Sequence, residues 1–327
     1  MIDNRRKPKQ RLKPQELVRS VMFILSEELE RMDPAQPPRA EGVHASTIRH
    51  QLHERFGLEY RSDRWLFTQL HRYEQDIGSR LFARGQDPDT GEQLLRLHDS
   101  MENFVQKQHL HVSQKIKTAN GIYDFITKTA GRGPGGRPIR LFLGAGTTTY
   151  HLFALFLERS VNETLALEIY THNAGCATLL DSRLLSQQSV KVVVMGGPLD
   201  PITMTFLGLD EATIRGIRLD YVVQGTSSIC DGKLYIESER ERKIKELILK
   251  QSSGTKLLAL TKHEFAAAPP QDAEAYGALT DYDYLVMPRS FPKSLTKEHE
   301  SNYLDYSGLF ETEIRNWYYE ILKINRS

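Results

Sequence analysis

Three times the chain repeats one pattern, an apolar run that ends in a small or polar loop, and this pattern constrains the fold more than any other feature. Ile139–Leu143 runs into Gly144-Ala-Gly-Thr-Thr-Thr149 and then into an amphipathic segment expected to be helical over Tyr150–Arg159. Ala166–Tyr170 ends in Thr171-His-Asn173, and Val190–Met195 ends in Gly196-Gly197. Short apolar runs bounded by turn signals read as buried strands, and their alternation with helical segments predicts an α/β fold with a mostly parallel sheet. In such a sheet, loops at the carboxyl ends of neighbouring strands line one crevice, which is where ligands bind.

The chemistry of those loops suits an anion. Gly144 and Gly146 have no Cβ, so the backbone can turn sharply and approach a ligand. Thr147, Thr148 and Thr149 add hydroxyls beside the unpaired N–H groups at the start of a helix. The same loop has a plainer reading as a helix cap. Thr171, His172, Asn173, Gly196 and Gly197 are expected to face the cradle, with His172 either bonding the ligand or filling a wall.

These residues resemble the effector-sensing domain of DeoR-type transcriptional regulators, which shares its fold with ribose-5-phosphate isomerases, glucosamine-6-phosphate deaminases and CoA transferases. The landmarks are Gly146-Thr-Thr148, Thr171-His-Asn173, Met195-Gly-Gly197 with Gly208, Asp220-Tyr-Val-Val-Gln-Gly225, the helix around Glu241 and Lys245, Leu258-Ala-Leu260, and Asp281-Tyr-Asp-Tyr-Leu-Val286. The resemblance implies a phosphorylated effector, with Gly225, Lys245 and Lys262 among its contacts. Two positions depart from it. Gly225 is followed by Thr-Ser-Ser where the family has an acidic residue, and the late strand ends in Thr261-Lys-His-Glu264 where the family has Asp-Ser-Ser-Lys. An isomerase or deaminase would need a carboxylate base at the bound sugar. Asp231-Gly232 is the nearest candidate, and it reads more simply as a hairpin turn. A non-catalytic sensor is therefore expected, with a sugar-phosphate isomerase- or deaminase-like enzyme, or a scaffold with an empty crevice, as the alternatives.

The amino-terminal third carries a different pattern. Ser46–Phe56 places Ile48, Leu52 and Phe56 on one helical face, Gly57 ends that helix, and Asp63–Ile77 follows with Leu66, Leu70, Tyr73 and Ile77 inward. Tyr73-Glu-Gln-Asp-Ile-Gly78, Arg80-Leu-Phe-Ala-Arg84 and Gly91-Glu-Gln-Leu-Leu95 resemble the winged helix-turn-helix head of LysR-type regulators. That resemblance implies a recognition helix presenting Arg64, Thr68, Gln69 and Arg72 to double-stranded DNA, with Arg61 at its start and Arg80 and Arg84 beside the wing. Trp65 stands where such heads carry a small residue, and reads either as core or as a change in base contact. A long linker helix over Glu92–Thr118, striped by Leu94, Leu97, Met101, Phe104 or Val105, Gln108 and Val112, is expected to pair two copies into a homodimer or higher oligomer.

Charge decides which polyanion the head suits. The 327 residues carry a net charge of +1, and residues 14–118 hold 14 basic against 16 acidic side chains. Only the segment holding Arg5, Arg6, Lys7, Lys9, Arg11 and Lys13 is strongly basic, and it reads as a disordered tail or a phosphate contact. Placed arginines, and not bulk charge, must then confer DNA binding. Cys176 and Cys230 lack paired spacing, and no histidine set has metal-ligand spacing, so no cofactor or metal is expected. No apolar run reaches the length of a membrane helix, and the start lacks the apolar core of a secretion signal, so a cytoplasmic protein is expected.

The expected organisation is a basic tail over 1–13, a winged head with linker helix over 14–112, a Rossmann-like α/β sensor over 113–290, and a helical extension over 291–327 whose last helix spans Leu309–Ile324. The function this implies is a DNA-binding transcriptional regulator controlled by a small phosphorylated metabolite, with repression and activation both open.

Overall fold

The computed structural model describes residues 12–31, 42–58, 60, 62–98, 103–130, 137–160, 165–180, 190–291 and 297–325. The basic tail through residue 11, the proline cluster at 33–38, Arg61, Met101 and most of the Gly-rich run at 131–136 lie outside them. The chain divides into two compact units, Met1–Ser113 and Gln114–Ser327.

The first unit begins with α1 (Pro14–Arg31), β1 (Val43–His44), α2 (Ala45–Phe56) and α3 (Asp63–Asp76). It continues with β2 (Phe82–Gln86), β3 (Gln93–Leu97) and the short α4 (Phe104–Lys107). On α1, Leu17, Val18, Val21, Leu25 and their neighbours recur at helical spacing and pack with Ile48, Leu52, Leu66 and Leu70 of α2 and α3. Gly57 closes α2 at φ 63°, and Ser62 caps α3 by accepting from the Trp65 N–H at 3.3 Å. The strands form an antiparallel sheet in the order β1-β3-β2.

The expected long helix over Glu92–Thr118 is not there. Gln93–Leu97 is a strand that pairs with β2 on one side and β1 on the other, with Leu95 in the core. The Leu94-to-Leu97 spacing satisfies a helical stripe, but two flanking strands satisfy the backbone of this segment and fix it as β. Among the described residues helix resumes at α4 and then at α5 (Val112–Ala130).

In the second unit α5 leads to β4 (Ile139–Leu143), α6 (Thr147–Ser160), β5 (Leu167–Thr171), α7 (Ala174–Ala177) and β6 (Val190–Val194). The hairpin β7 (Leu199–Asp200) and β8 (Thr205–Phe206) comes next, then α8 (Glu211–Arg215), β9 (Tyr221–Gln224), β10 (Ser228–Cys230) and β11 (Lys233–Tyr235). The chain closes with α9 (Glu239–Gln251), β12 (Thr255–Ala259), β13 (Gly277–Ala278), β14 (Tyr284–Pro288), α10 (Lys297–Leu304), β15 (Phe310–Arg315) and β16 (Tyr319–Ile324). The main sheet runs β15-β16-β14-β12-β9-β4-β5-β6, parallel from β6 to β14. Numbered along the chain, its six parallel strands stand in the order 3-2-1-4-5-6, which reverses between β4 and β9. Strand order of this kind opens a crevice at the reversal, outside the carboxyl ends of those two strands.

Side-chain alternation shows how both faces are covered. Ile139, Leu141 and Leu143 pack with Phe153 and Phe156 of α6 and with Ile122 and Ile126 of α5. Phe142 and Val222 point the other way, to Ile214 of α8 and Ile244 and Ile248 of α9. Asp231 (φ 49°) and Gly232 (φ 71°) make the expected two-residue turn between β10 and β11.

The expected final helix over Leu309–Ile324 is instead the hairpin β15–β16, so the sheet does not end at Pro288. Tyr319–Ile324 pairs antiparallel with β14 from Pro288 to Tyr284 and buries Ile321, Leu322 and Ile324. Ile314 and Ile321, read as one helical face, are cross-strand partners. The apolar spacing fits either period, and the open edge of β14 decides it. Trp317, placed on that face, lies on the turn and is 81% exposed.

Candidate functional site

The loops that follow β4, β5 and β6 are tied to one another by hydrogen bonds, and those bonds explain most of the residues expected there. Gly146 adopts φ 120°, a region closed to other residues, as the chain turns from β4 into α6. The Thr149 hydroxyl donates to the carbonyls of Gly144 (2.7 Å) and Gly146 (2.8 Å), so this buried threonine builds the loop. Thr147 and Thr148 form the first turn of α6, half-buried, where N–H groups lack helical acceptors.

Thr171 and Asn173 serve the same construction. The Thr171 hydroxyl donates to the Leu143 carbonyl at 2.7 Å and accepts from the Asn173 N–H at 3.1 Å. The Asn173 amide donates to the Gly146 carbonyl at 2.9 Å, while its oxygen accepts from Gly175 N–H at 3.0 Å and caps α7. The loop after β6 joins through Met195 N–H to the Thr171 carbonyl at 2.7 Å, and Phe206 N–H donates to the His172 carbonyl at 2.8 Å. Gly196 and Gly197 are exposed beside these bonds.

Across the strand-order reversal, Gly225 carries a buried clamp on its carbonyl. Lys245 Nζ donates to it at 2.9 Å and the Tyr276 hydroxyl at 3.2 Å. Lys245 is 1% exposed and lies 3.5 Å from Glu241 one turn earlier on α9. Burial moves both away from their charged forms, the lysine downward and the glutamate upward. Gln224, beside Gly225, accepts from the Tyr282 hydroxyl at 2.5 Å. Tyr276, Tyr282 and Gln224 were not identifiable as site residues from sequence. Gln224 and Tyr282 stand inside two of the landmark runs without a role of their own, aromatic patterning marks Tyr276 only as core, and their convergence depends on segments far apart in the chain.

His172 is fully buried against Phe142, ring centroids 5.5 Å apart, and neither ring nitrogen has a hydrogen-bond partner among the described residues. Burial, with the Lys245 charge second, pulls its pKa down to about 3. It therefore stands neutral within the apolar layer beneath α9. Lys262 is not brought to the cradle: its ammonium donates to the Arg289 carbonyl and pairs with Glu320, both at 2.8 Å.

In the first unit, α3 exposes Arg64, Thr68, His71, Arg72 and Gln75, with Gln69 half-buried. The Thr68 hydroxyl is turned back to the Arg64 carbonyl at 2.7 Å. Trp65 stacks on Tyr60 with centroids 4.7 Å apart and packs against the core, which answers the alternative left open by sequence. Arg80 is exposed. Arg84, also exposed, lies over the Phe67 ring at 5.5 Å and reaches Glu74 at 3.4 Å. Glu74 is itself buried and accepts from the N–H groups of Leu81 (2.8 Å) and Phe82 (2.9 Å). The Glu74 to Arg84 signature is thus the joint between α3 and the β2–β3 hairpin.

Among the described residues no group of His, Cys, Asp and Glu could hold a metal ion, and no helix is long and apolar enough to cross a membrane. Cys176 and Cys230 are free and buried.

Residues 139–268 match the family described as the DeoR C terminal sensor domain, so the second unit carries a sensor domain of that type. No curated protein sequence matches the chain. Among solved structures it is similar to ribose 5-phosphate isomerase A from Neisseria gonorrhoeae, at 8% identity and TM-score 0.30 over 70% of this chain and 79% of that one. The isomerase from Methanocaldococcus jannaschii gives 9% identity and TM-score 0.31 over 64% and 78%. The delta subunit of eIF2B from Chaetomium thermophilum gives 8% and 0.36 over 85% and 92%. Likeness at this distance identifies neither a ligand nor a reaction.

Proposed function

We propose that the protein is a ligand-controlled transcriptional regulator, in which the first unit is a winged helix-turn-helix that binds double-stranded DNA and the second senses a small phosphorylated metabolite. The match of residues 139–268 to the DeoR sensor domain carries this reading. Such domains are typical of sugar-phosphate-sensing transcription regulators. The strand-order reversal between β4 and β9 supports a crevice where Gly144, Gly146, Thr147 and Thr148 offer backbone and hydroxyl donors to an anion, with Thr149, Thr171 and Asn173 holding the loop in shape. Gly196, Gly197 and Gly225 form the other walls.

The order of helices and strands in the first unit supports the DNA-binding part. Helix α2 ends at Gly57, α3 begins after Ser62 and the β2–β3 hairpin follows, and Arg64 and Arg72 stand exposed on α3 with no acidic partner among the described residues. Arg80 extends that surface. Two copies of the chain would read two half-sites.

Selection of genomic fragments by the full-length protein, sequenced beside an Arg64→Ala/Arg72→Ala control, tests the reading. A palindromic site that the control does not enrich is the expected result. No enrichment by the native protein would overturn DNA recognition and return the ligand-binding scaffold and the enzyme to the front.

A further inference from the structure

The end of β12 holds an arrangement that the cradle does not use. Lys262 follows that strand at φ 74°, a left-handed conformation that residues with a side chain adopt under constraint. Its ammonium lies 4.4 Å from the centre of the Phe291 ring and 5.1 Å from that of Tyr303, in addition to its bonds to Glu320 and the Arg289 carbonyl. All four partners follow β14 in the chain. Since β12 lies between β9 and β14 in the sheet, the side chain reaches away from β9 and from the strand-order reversal.

Glu320 divides its two oxygens. One takes Lys262, and the other takes Arg315 Nε at 3.1 Å and Nη2 at 3.0 Å. A buried ion pair is costly to break when the remaining charge is left alone. Departure of Lys262 would leave Glu320 paired with Arg315, which is half-exposed and already in place. On the other side, neighbouring strands stand about 4.8 Å apart, and a lysine's four-carbon stem spans that gap. Swung toward β9, the ammonium would face the loop that follows β9, which starts at Gly225 beside Ala259 and covers Lys245, bonded to the Gly225 carbonyl.

We propose that Glu320 is a latch: it holds Lys262 out of the crevice, and an anion bound between the α6 cradle and the loop after β9 competes for the Lys262 ammonium and frees the β15–β16 hairpin from the end of β12. The latch rests on the reading that the crevice binds an anionic effector. It gives the carboxyl-terminal hairpin, which lies beyond the matched residues 139–268, a part in the response.

The hairpin carries its own reporter. Trp317 lies on its turn and is 81% exposed, and the chain has 2 tryptophans, so Trp65→Phe in the full-length protein leaves one signal. Inorganic phosphate is titrated by calorimetry and by Trp317 emission in that background. Heat and emission are expected to share a midpoint, Glu320→Gln to lower it several-fold and start near the saturated emission, and Lys262→Met to weaken binding and silence the emission change. Binding heat with an unmoved midpoint in Glu320→Gln and constant Trp317 emission would overturn the latch and leave the crevice standing. Absence of heat in every variant, or binding undisturbed by Gly146→Val, would overturn the crevice reading and the latch with it. Should Glu320→Gln fail to fold, Lys262→Met decides alone, since it leaves Glu320 with Arg315 and places a thioether between two rings; an unchanged phosphate midpoint there sinks the proposal.

Discussion

Gly197 and Gly208 cross so closely that a Cβ on Gly197 would lie 2.3 Å from the Gly208 Cα, and one on Gly208 would lie 2.6 Å from the Gly197 Cα. This crossing closes the loop after β6 onto the chain leaving β8, and Gly197 also needs its φ of 121°. Gly208→Ala is therefore expected to cost about 1–3 kcal/mol by overpacking backbone against backbone. Gly196→Ala, next door, meets nothing within 4 Å and should stay within about 0.5 kcal/mol of the native chain. Denaturant unfolding of both variants checks the contrast, and equal losses would mean that the crossing is not the constraint.

Glu74 sets the hairpin of the first unit in the same way, through two backbone donors. Glu74→Ala strands the N–H groups of Leu81 and Phe82 in a buried position, a loss of about 1–3 kcal/mol for each donor left unsatisfied. Hydrogen exchange should show protection lost first at those two amides. Protection that survives the substitution would mean that water or another acceptor replaces the carboxylate.

The arginines expected to touch DNA separate into two groups by structure. Arg64, Arg72 and Arg84 are all exposed, but only Arg84 is tied down among the described residues, by the Phe67 carbonyl and Glu74. Replacing Arg72 or Arg64 by alanine should weaken DNA binding, and each DNA phosphate that its guanidinium no longer neutralises should lower the salt slope by about one unit. Arg84→Ala should leave the slope in place and lower thermal stability. A slope reduced by Arg84→Ala and untouched by both others would reverse the assignment.

The contrast between Arg84 and Arg72 also shows what sequence can carry. Residue type and spacing found the loop after β4, the Thr171–Asn173 turn, the two glycines after β6 and the helix pair of the first unit, because each is a local device with its own chemistry. Spacing alone did not show which exposed arginine is bonded to Glu74, nor distinguish a lysine lining a crevice from one drawn to Glu320. Both misread helices failed for one reason. Gln93–Leu97 and Tyr319–Ile324 have apolar positions that fit a helical stripe, and each is a strand because a neighbouring strand offers an open edge. That partner lies elsewhere in the chain.

His172 makes the pH dependence of the second unit testable. Buried without a hydrogen-bond partner among the described residues and facing Phe142 and the Lys245 charge, it is held near a pKa of about 3 in the folded chain, against 6.5 when unfolded. Between those values the unfolded chain binds a proton that the folded chain does not, so stability present above pH 6.5 is lost progressively as pH falls toward 3. His263, lowered to about 4 by burial, acts in the same direction over a narrower window. His172→Phe removes the proton and keeps an aromatic ring on Phe142. Its stability at pH 7 should match or exceed the native value, since no polar group is left unsatisfied. Across pH 4–6 it should gain on the native protein by roughly 1 kcal/mol per pH unit of acidification, with the remaining slope left to His263 and the carboxylates. Parallel denaturation curves at each pH would instead place a bonding partner on the His172 ring and end its role as the acid-sensitive group.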